Sequence, residues 1–372
     1  MRVWWLVLLL TLAAPPALAG RSRAIDNLFR PGARTATPVE TFAARDLPLD
    51  PAGAGEEWAK RLRFFDPGAG RFEYTLRLVE EEETFRVYRL TFPSPLKTPW
   101  PENNVVPAEF YVPRGATAAA KVPAAVVLDI LDGSAILPRM MARAAARQGL
   151  AALYVPMPCY NDRRPADDAH ERALRDDPTK TVDGLRQTVM DVRRARAVLA
   201  SRPEIDDTNV GITGISLGGI MTALAAGVDG HFARVVPILS GGDIADVTFH
   251  CHEMRKLRAA LVDKGITRER ATALFAPVEP LGFAPRVGAG RCLMINAAAD
   301  EVIPRKDTEA LARAIGDPQV MWLQAGHYSA LTYFPLIQKT VIDFLRDGKR
   351  PPAAAVPGAG AGAKPAAEPV AR

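Results

Sequence analysis

The chain has 372 residues, 48% of them hydrophobic and 24% charged, with a formal net charge of +5. That composition belongs to a globular protein with a sizeable core and excludes a fibrous or wholly disordered chain. Basic residues are interspersed with acids rather than gathered in runs, which argues against nucleic-acid binding. The basic pair Arg193-Arg194 falls on a predicted helix near acids and reads as a solvated face.

The first residues read as an export signal. Met1-Arg2 gives a positive start, Val3 to Leu12 is almost wholly apolar, and Ala17-Leu18-Ala19 is a small-x-small cleavage site before Gly20. An apolar core of roughly 10 residues is short of the about 20 that span a bilayer. Residues 1–19 are therefore expected to be a signal peptide, and the mature chain to lie in the periplasm or outside the cell with no membrane span. Residues 20–70 are rich in Pro, Ala, Arg and Gly and read as a weakly structured extension with one helical stretch near Glu56 to Phe65.

Residues 71–349 read as one domain. Phe72 to Leu78, Phe85 to Phe92 and Val105 to Val112 have strand character and predict an antiparallel meander. From Ala124 the pattern changes to short apolar runs alternating with helical stretches. The runs are Ala124 to Ile130, Leu150 to Val155, Val210 to Gly214, Val235 to Leu239, Cys292 to Asn296 and Val320 to Leu323. The helices are Leu137 to Arg147, residues 181–201 with Val182, Leu185, Val189, Val192 and Leu199 on one face, Leu217 to Ala226, and Phe334 to Arg346. This is the signature of a mostly parallel sheet with helices on both faces. A polar helical insert at about 251–280 predicts a small lid, and the Ala/Pro/Gly-rich residues 350–372 a disordered tail. Three cysteines, Cys159, Cys251 and Cys292, cannot all pair and lack zinc-site spacing; a single Cys159–Cys251 bridge stays open.

Chemistry concentrates in Gly214-Ile215-Ser216-Leu217-Gly218, a G-x-S-x-G pattern between a predicted buried strand and a predicted helix. That setting makes a nucleophile elbow, where strand and helix converge so closely that both flanking positions must be tiny. A serine needs a base, and the base an orienting acid, arriving in the order Ser, Asp or Glu, His at later strand ends. Asp300 follows the Cys292 to Asn296 run and His327 follows Val320 to Leu323. Glu301, adjacent, and Asp243, after another strand, are reserve candidates for the acid. Backbone N–H groups of Leu217 and of Gly133, in the loop after Ala124 to Ile130, are expected to form the oxyanion hole, with the Asp132 side chain turned away. The chemistry requires no cofactor and no metal.

With these motifs on the page, residues 84–347 resemble the α/β-hydrolase superfamily, in its acetyl xylan esterase, dienelactone hydrolase and prolyl-oligopeptidase-like branches. The resemblance rests on Asp191-Val192-Arg193-Arg194-Ala195 running on to Gly211-Ile212-Thr213-Gly214-Ile215-Ser216-Leu217-Gly218-Gly219. It rests equally on Ala298-Ala299-Asp300-Glu301-Val302-Ile303-Pro304 and on Gly326-His327-Tyr328. It implies an α/β-hydrolase fold with a Ser216–Asp300–His327 triad acting on a small-molecule or glycan-linked ester. Two departures stand out. Leu131-Asp132-Gly133 replaces the family's usual His-Gly, and serine replaces the cysteine of dienelactone hydrolases. About 100 N-terminal residues are too few for the gating propeller of the oligopeptidases. Acyl transfer, a peptidase-like activity and a silent binding module remain the alternatives; the intact nucleophile, acid and base weigh against the last.

Overall fold

The computed structural model describes residues 30–32, 37–49, 56–68, 70–131, 133–165 and 177–352. The expected signal peptide, Asp132, and the tail from 353 onward lie outside the described residues.

The strands are β1 (Glu40–Arg45), β2 (Arg71–Glu81), β3 (Phe85–Pro93), β4 (Val105–Pro113), β5 (Val122–Leu128), β6 (Ala151–Val155), β7 (Ile205–Ile215), β8 (Arg234–Ile238), β9 (Leu293–Ala297) and β10 (Gln319–Leu323). They form one sheet in the order β1-β2-β3-β4-β6-β5-β7-β8-β9-β10. From β1 to β6 neighbours run antiparallel, and from β6 to β10 they run parallel. The fold is thus a mostly parallel sheet preceded by an antiparallel meander. Where both faces are covered the parallel strands are apolar: β5, β6 and β9 carry almost no exposed position, and β7 is buried from Val210 onward after a polar start.

The helices are α1 (Glu56–Arg63), α2 (Ile136–Arg147), α3 (Pro178–Ser201), α4 (Leu217–Val228), α5 (Ile244–His250), α6 (Arg255–Asp263), α7 (Arg268–Phe275), α8 (Arg305–Ile315) and α9 (Phe334–Asp347). One core contains Leu185, Val189, Leu224 and Leu311 from α3, α4 and α8; the other contains Met141, Ala145, Val341 and Phe344 from α2 and α9. The insert after β8 supplies α5, α6 and α7, which pack on the α3 side through Met254, Leu257, Leu261 and Phe275. No helix of the described residues is long and apolar enough to cross a membrane. Cys159, Cys251 and Cys292 are all buried and none is joined to another by a disulfide, so the Cys159–Cys251 bridge does not form.

Arg193 and Arg194 do not lie on a solvated face, as their sequence surroundings suggested. They are 4% and 9% exposed. Arg194 grips the Asp46 carboxylate at 2.9 and 2.5 Å and donates to the Pro93 carbonyl at 2.9 Å. Arg193 donates to the carbonyls of Leu47 and Phe65 at 2.8 and 3.0 Å. The irregular segment before β2 has backbone carbonyls that need donors, and a guanidinium carries five N–H groups in a fixed fork. This is also why part of the stretch read as weakly structured is ordered: β1 pairs with β2 at the sheet edge, and the chain after it is fastened to α3.

On the other side of the sheet, Glu109 of β4 and Arg139 of α2 form a bidentate pair at 2.7–3.1 Å, 3% and 6% exposed, with the Tyr111 hydroxyl donating to Glu109 at 2.7 Å. Removing one member leaves a buried charge without its partner. Glu109→Ala is expected to destabilise the protein by about 3–5 kcal/mol in urea unfolding, while Glu109→Leu with Arg139→Met should cost much less.

Candidate active site

The sheet places its parallel strands so that their carboxyl ends open on one edge, where the candidate residues converge. At the turn from β7 into α4, Ser216 adopts φ +58° and ψ −118°. A side-chain-bearing residue held there stores about 1–3 kcal/mol of strain. The surroundings enforce it. The Ser216 N–H donates to the Ile238 carbonyl at 2.9 Å, tying the elbow to β8. A Cβ on Gly214 would stand 2.5 Å from the Gly218 carbonyl oxygen, and one on Gly218 would collide with the Asp129 carbonyl. Only glycine at both positions lets helix, elbow and neighbouring strand approach this closely.

His327 follows β10 and is 7% exposed. Its Nε2 lies 2.9 Å from Ser216 Oγ, and its Nδ1 lies 2.9 and 3.0 Å from the two Asp300 carboxylate oxygens. Asp300, after β9, cannot swing: one of its oxygens also accepts the N–H groups of Val302 and Ile303 at 2.9 and 2.8 Å. With Nδ1–H donated to the carboxylate, Nε2 is left as the acceptor for the serine hydroxyl. The sequence therefore names three residues, 111 and 27 positions apart, that the fold brings into one hydrogen-bonded line.

The reserve acids stand elsewhere. Glu301 accepts the backbone N–H of His327 at 2.7 Å and so anchors the loop rather than the ring. Asp243 caps α5, accepting the Asp246 N–H at 2.9 Å, and pairs with Arg268 at 2.7 Å. The anchoring role of Glu301 is missed from sequence because its partner is a main-chain group of a different loop. Asp129 is missed likewise. It ends the apolar run of β5, is fully buried, and accepts from the Tyr154 hydroxyl at 2.6 Å and the Met157 N–H at 2.9 Å. Its signal was a carboxylate closing the run Ala-Ala-Val-Val-Leu.

Leu217 begins α4 beside Ser216, where the first amides of a helix have no intrahelical acceptor. Gly133 does not serve as sequence spacing proposed. Its N–H is spent on the Ile130 carbonyl at 3.0 Å, closing a tight turn at φ +72°. A Cβ there would come within 2.9 Å of the Tyr160 ring. Gly133 is needed for that turn and that contact, while Leu131 is the loop residue that lines the cavity next to Ser216.

Cys251 also lines this cavity. Burial and the Glu253 carboxylate push its thiol up to about 12, so it stays protonated and a poor nucleophile at neutral pH. Among the described residues no three of His, Cys, Asp and Glu gather as a metal site would require.

A serine elbow on a mostly parallel, helix-covered sheet, with carboxylate and imidazole on later strand ends, defines the α/β hydrolases as a class. The chain belongs to the family described as alpha/beta hydrolase domain containing 18, whose profile matches residues 72–260. A second α/β-hydrolase profile, described as TAP-like protein, matches residues 271–357. An uncharacterized protein of Mycobacterium tuberculosis is 27% identical over 154 residues, 41% of this chain and 36% of that protein. The match thus spans about a third of the curated relative's length. Among solved structures, an acetyl xylan esterase from Paenibacillus superposes with a TM-score of 0.62 at 18% identity, over 78% of this chain and 92% of that one. Acetyl xylan esterase 1 from Thermoanaerobacterium gives 0.57 at 16% identity, over 81% and 95%. Likeness at this identity speaks for the fold.

Proposed function

We propose that the protein is a serine hydrolase that cleaves carboxylic esters through an acyl-enzyme on Ser216. The observation that carries this reading is the continuous line from Asp300 through His327 to a strained, cavity-facing serine. As Ser216 Oγ bonds to the ester carbonyl carbon, its proton passes to His327 Nε2, and Asp300 stabilises the imidazolium. The tetrahedral oxyanion is held by the Leu217 N–H and, in place of Gly133, by the amide of Leu131. The carbon–oxygen bond to the alcohol then breaks, with the proton returning from His327 to the departing oxygen. Water repeats the sequence on the acyl-enzyme and releases the acid. The N-terminal sequence pattern supports export, with the reaction taking place outside the cytoplasm.

A fluorophosphonate probe reports on an activated serine directly. The folded wild-type protein is expected to label stoichiometrically, with the adduct on the peptide containing Ser216, and to hydrolyse p-nitrophenyl acetate. A folded protein that neither labels nor turns over any ester would support a silent binding module instead.

A further inference from the structure

Between Ser216 and the lid insert lies a cavity of about 50 Å³. Its wall is apolar, formed by Leu131 and Ile220 near the serine, Leu185 of α3 and Val247 of α5, with Met254 and Leu257 from the lid. An apolar cavity of about 150 Å³ holds a benzene ring, so a third of that volume holds only a few carbons. On the reading that Ser216 forms an acyl-enzyme, we propose that this cavity is the acyl pocket, that it takes acyl groups of about two to four carbons, and that Met254 and Leu257 set the limit.

The end wall is not free to swing aside. Met254 and Leu257 are 9% and 4% exposed and pack into the core shared with α3. Glu253, immediately before Met254, is tied to the loop after β10: the Tyr328 hydroxyl donates to its carboxylate, and the Cys251 thiol donates to the other oxygen at 2.9 Å. Tyr328 follows His327 in the chain and packs edge-on against its ring at 5.6 Å. Burial alone would raise the Glu253 carboxyl, but these two hydrogen bonds, together with a backbone hydrogen bond and the nearby His252, hold it below the usual range, so it remains an ionised acceptor. The strap joins the loop that carries the base to the residues that end the cavity. A longer acyl chain must therefore break core packing and the strap together.

The test is a series of p-nitrophenyl acetate, butyrate, octanoate and laurate on the full chain, with Ser216→Ala as the background. The expected kcat/KM for acetate and butyrate exceeds that for octanoate by at least about tenfold, since one methylene too many in such a pocket already costs on that order. Met254→Ala is expected to move the optimum toward octanoate, as is Leu185→Ala, another lining residue, should the first variant fail to fold. Octanoate or laurate matching butyrate in the wild type, with Ser216→Ala inactive, would overturn the pocket assignment and leave the esterase reading standing. An unchanged chain-length profile in both folded variants would overturn the role given to the wall. Absence of any Ser216-dependent hydrolysis would overturn the esterase reading itself.

Discussion

Ser216→Ala is expected to lower kcat toward p-nitrophenyl acetate by about 10⁴–10⁶-fold and to abolish fluorophosphonate labelling, with the melting temperature little changed. The reason lies in the division of labour at the elbow. The alanine keeps the backbone at φ +58°, so strand, turn and helix stay as they are, and only the oxygen 2.9 Å from His327 Nε2 is lost. Ser216→Gly separates strain from chemistry. Glycine adopts this backbone without penalty, relieving about 1–3 kcal/mol, against about 0.5–1 kcal/mol for its freer unfolded chain. The glycine variant should therefore be equally inactive and measurably more stable to urea than the alanine variant. A glycine variant less stable than the alanine variant by about 0.5–1 kcal/mol would mean that the elbow stores no strain.

Asp300→Asn is expected to reduce kcat by about 10⁴-fold, whereas Glu301→Gln should reduce it by less than about tenfold. The backbone decides how the new amide sits. One oxygen at position 300 is fixed by the N–H groups of Val302 and Ile303, so the asparagine keeps its carbonyl there and turns its NH₂ toward His327 Nδ1. Two donors cannot face each other, and the imidazole takes the other tautomer, with its hydrogen on Nε2. A protonated Nε2 cannot accept the Ser216 proton. Glutamine at 301 keeps a carbonyl oxygen for the His327 N–H, now held at 2.7 Å, and leaves the ring untouched. Steady-state kinetics on both variants checks the contrast; a larger loss at 301 than at 300 would exchange their roles.

What was legible in the sequence follows from the range of the interactions behind it. The run Val210 to Gly214, the glycines around Ser216 and the small-residue helix after it are neighbours along the chain. Their local pattern already specifies a strand, a tight turn and a helix. The alternation of apolar runs with helical stretches likewise marked the parallel sheet, because burial on both faces leaves its trace in each strand separately. Asp300 and His327 were legible by position, each just past such a run.

The tertiary structure decided what depends on partners far apart in the chain. Arg194 looks like a solvated residue until Asp46, 148 positions away, is folded against it. β1 has little strand character of its own and exists because β2 offers it an edge. Gly133 was the natural oxyanion donor by spacing, but the turn back to Ile130 consumes its amide and leaves Leu131 facing the cavity. Glu301, Asp129 and the Tyr328–Glu253 strap act through main-chain groups or side chains of other loops, for which no local pattern exists. The sequence by itself determined that a serine elbow sits on an α/β sheet with an acid and a histidine to follow. Only the packed fold decided which amides, carboxylates and lid residues surround that serine, because hydrogen-bond geometry and cavity shape are set between segments and not within them.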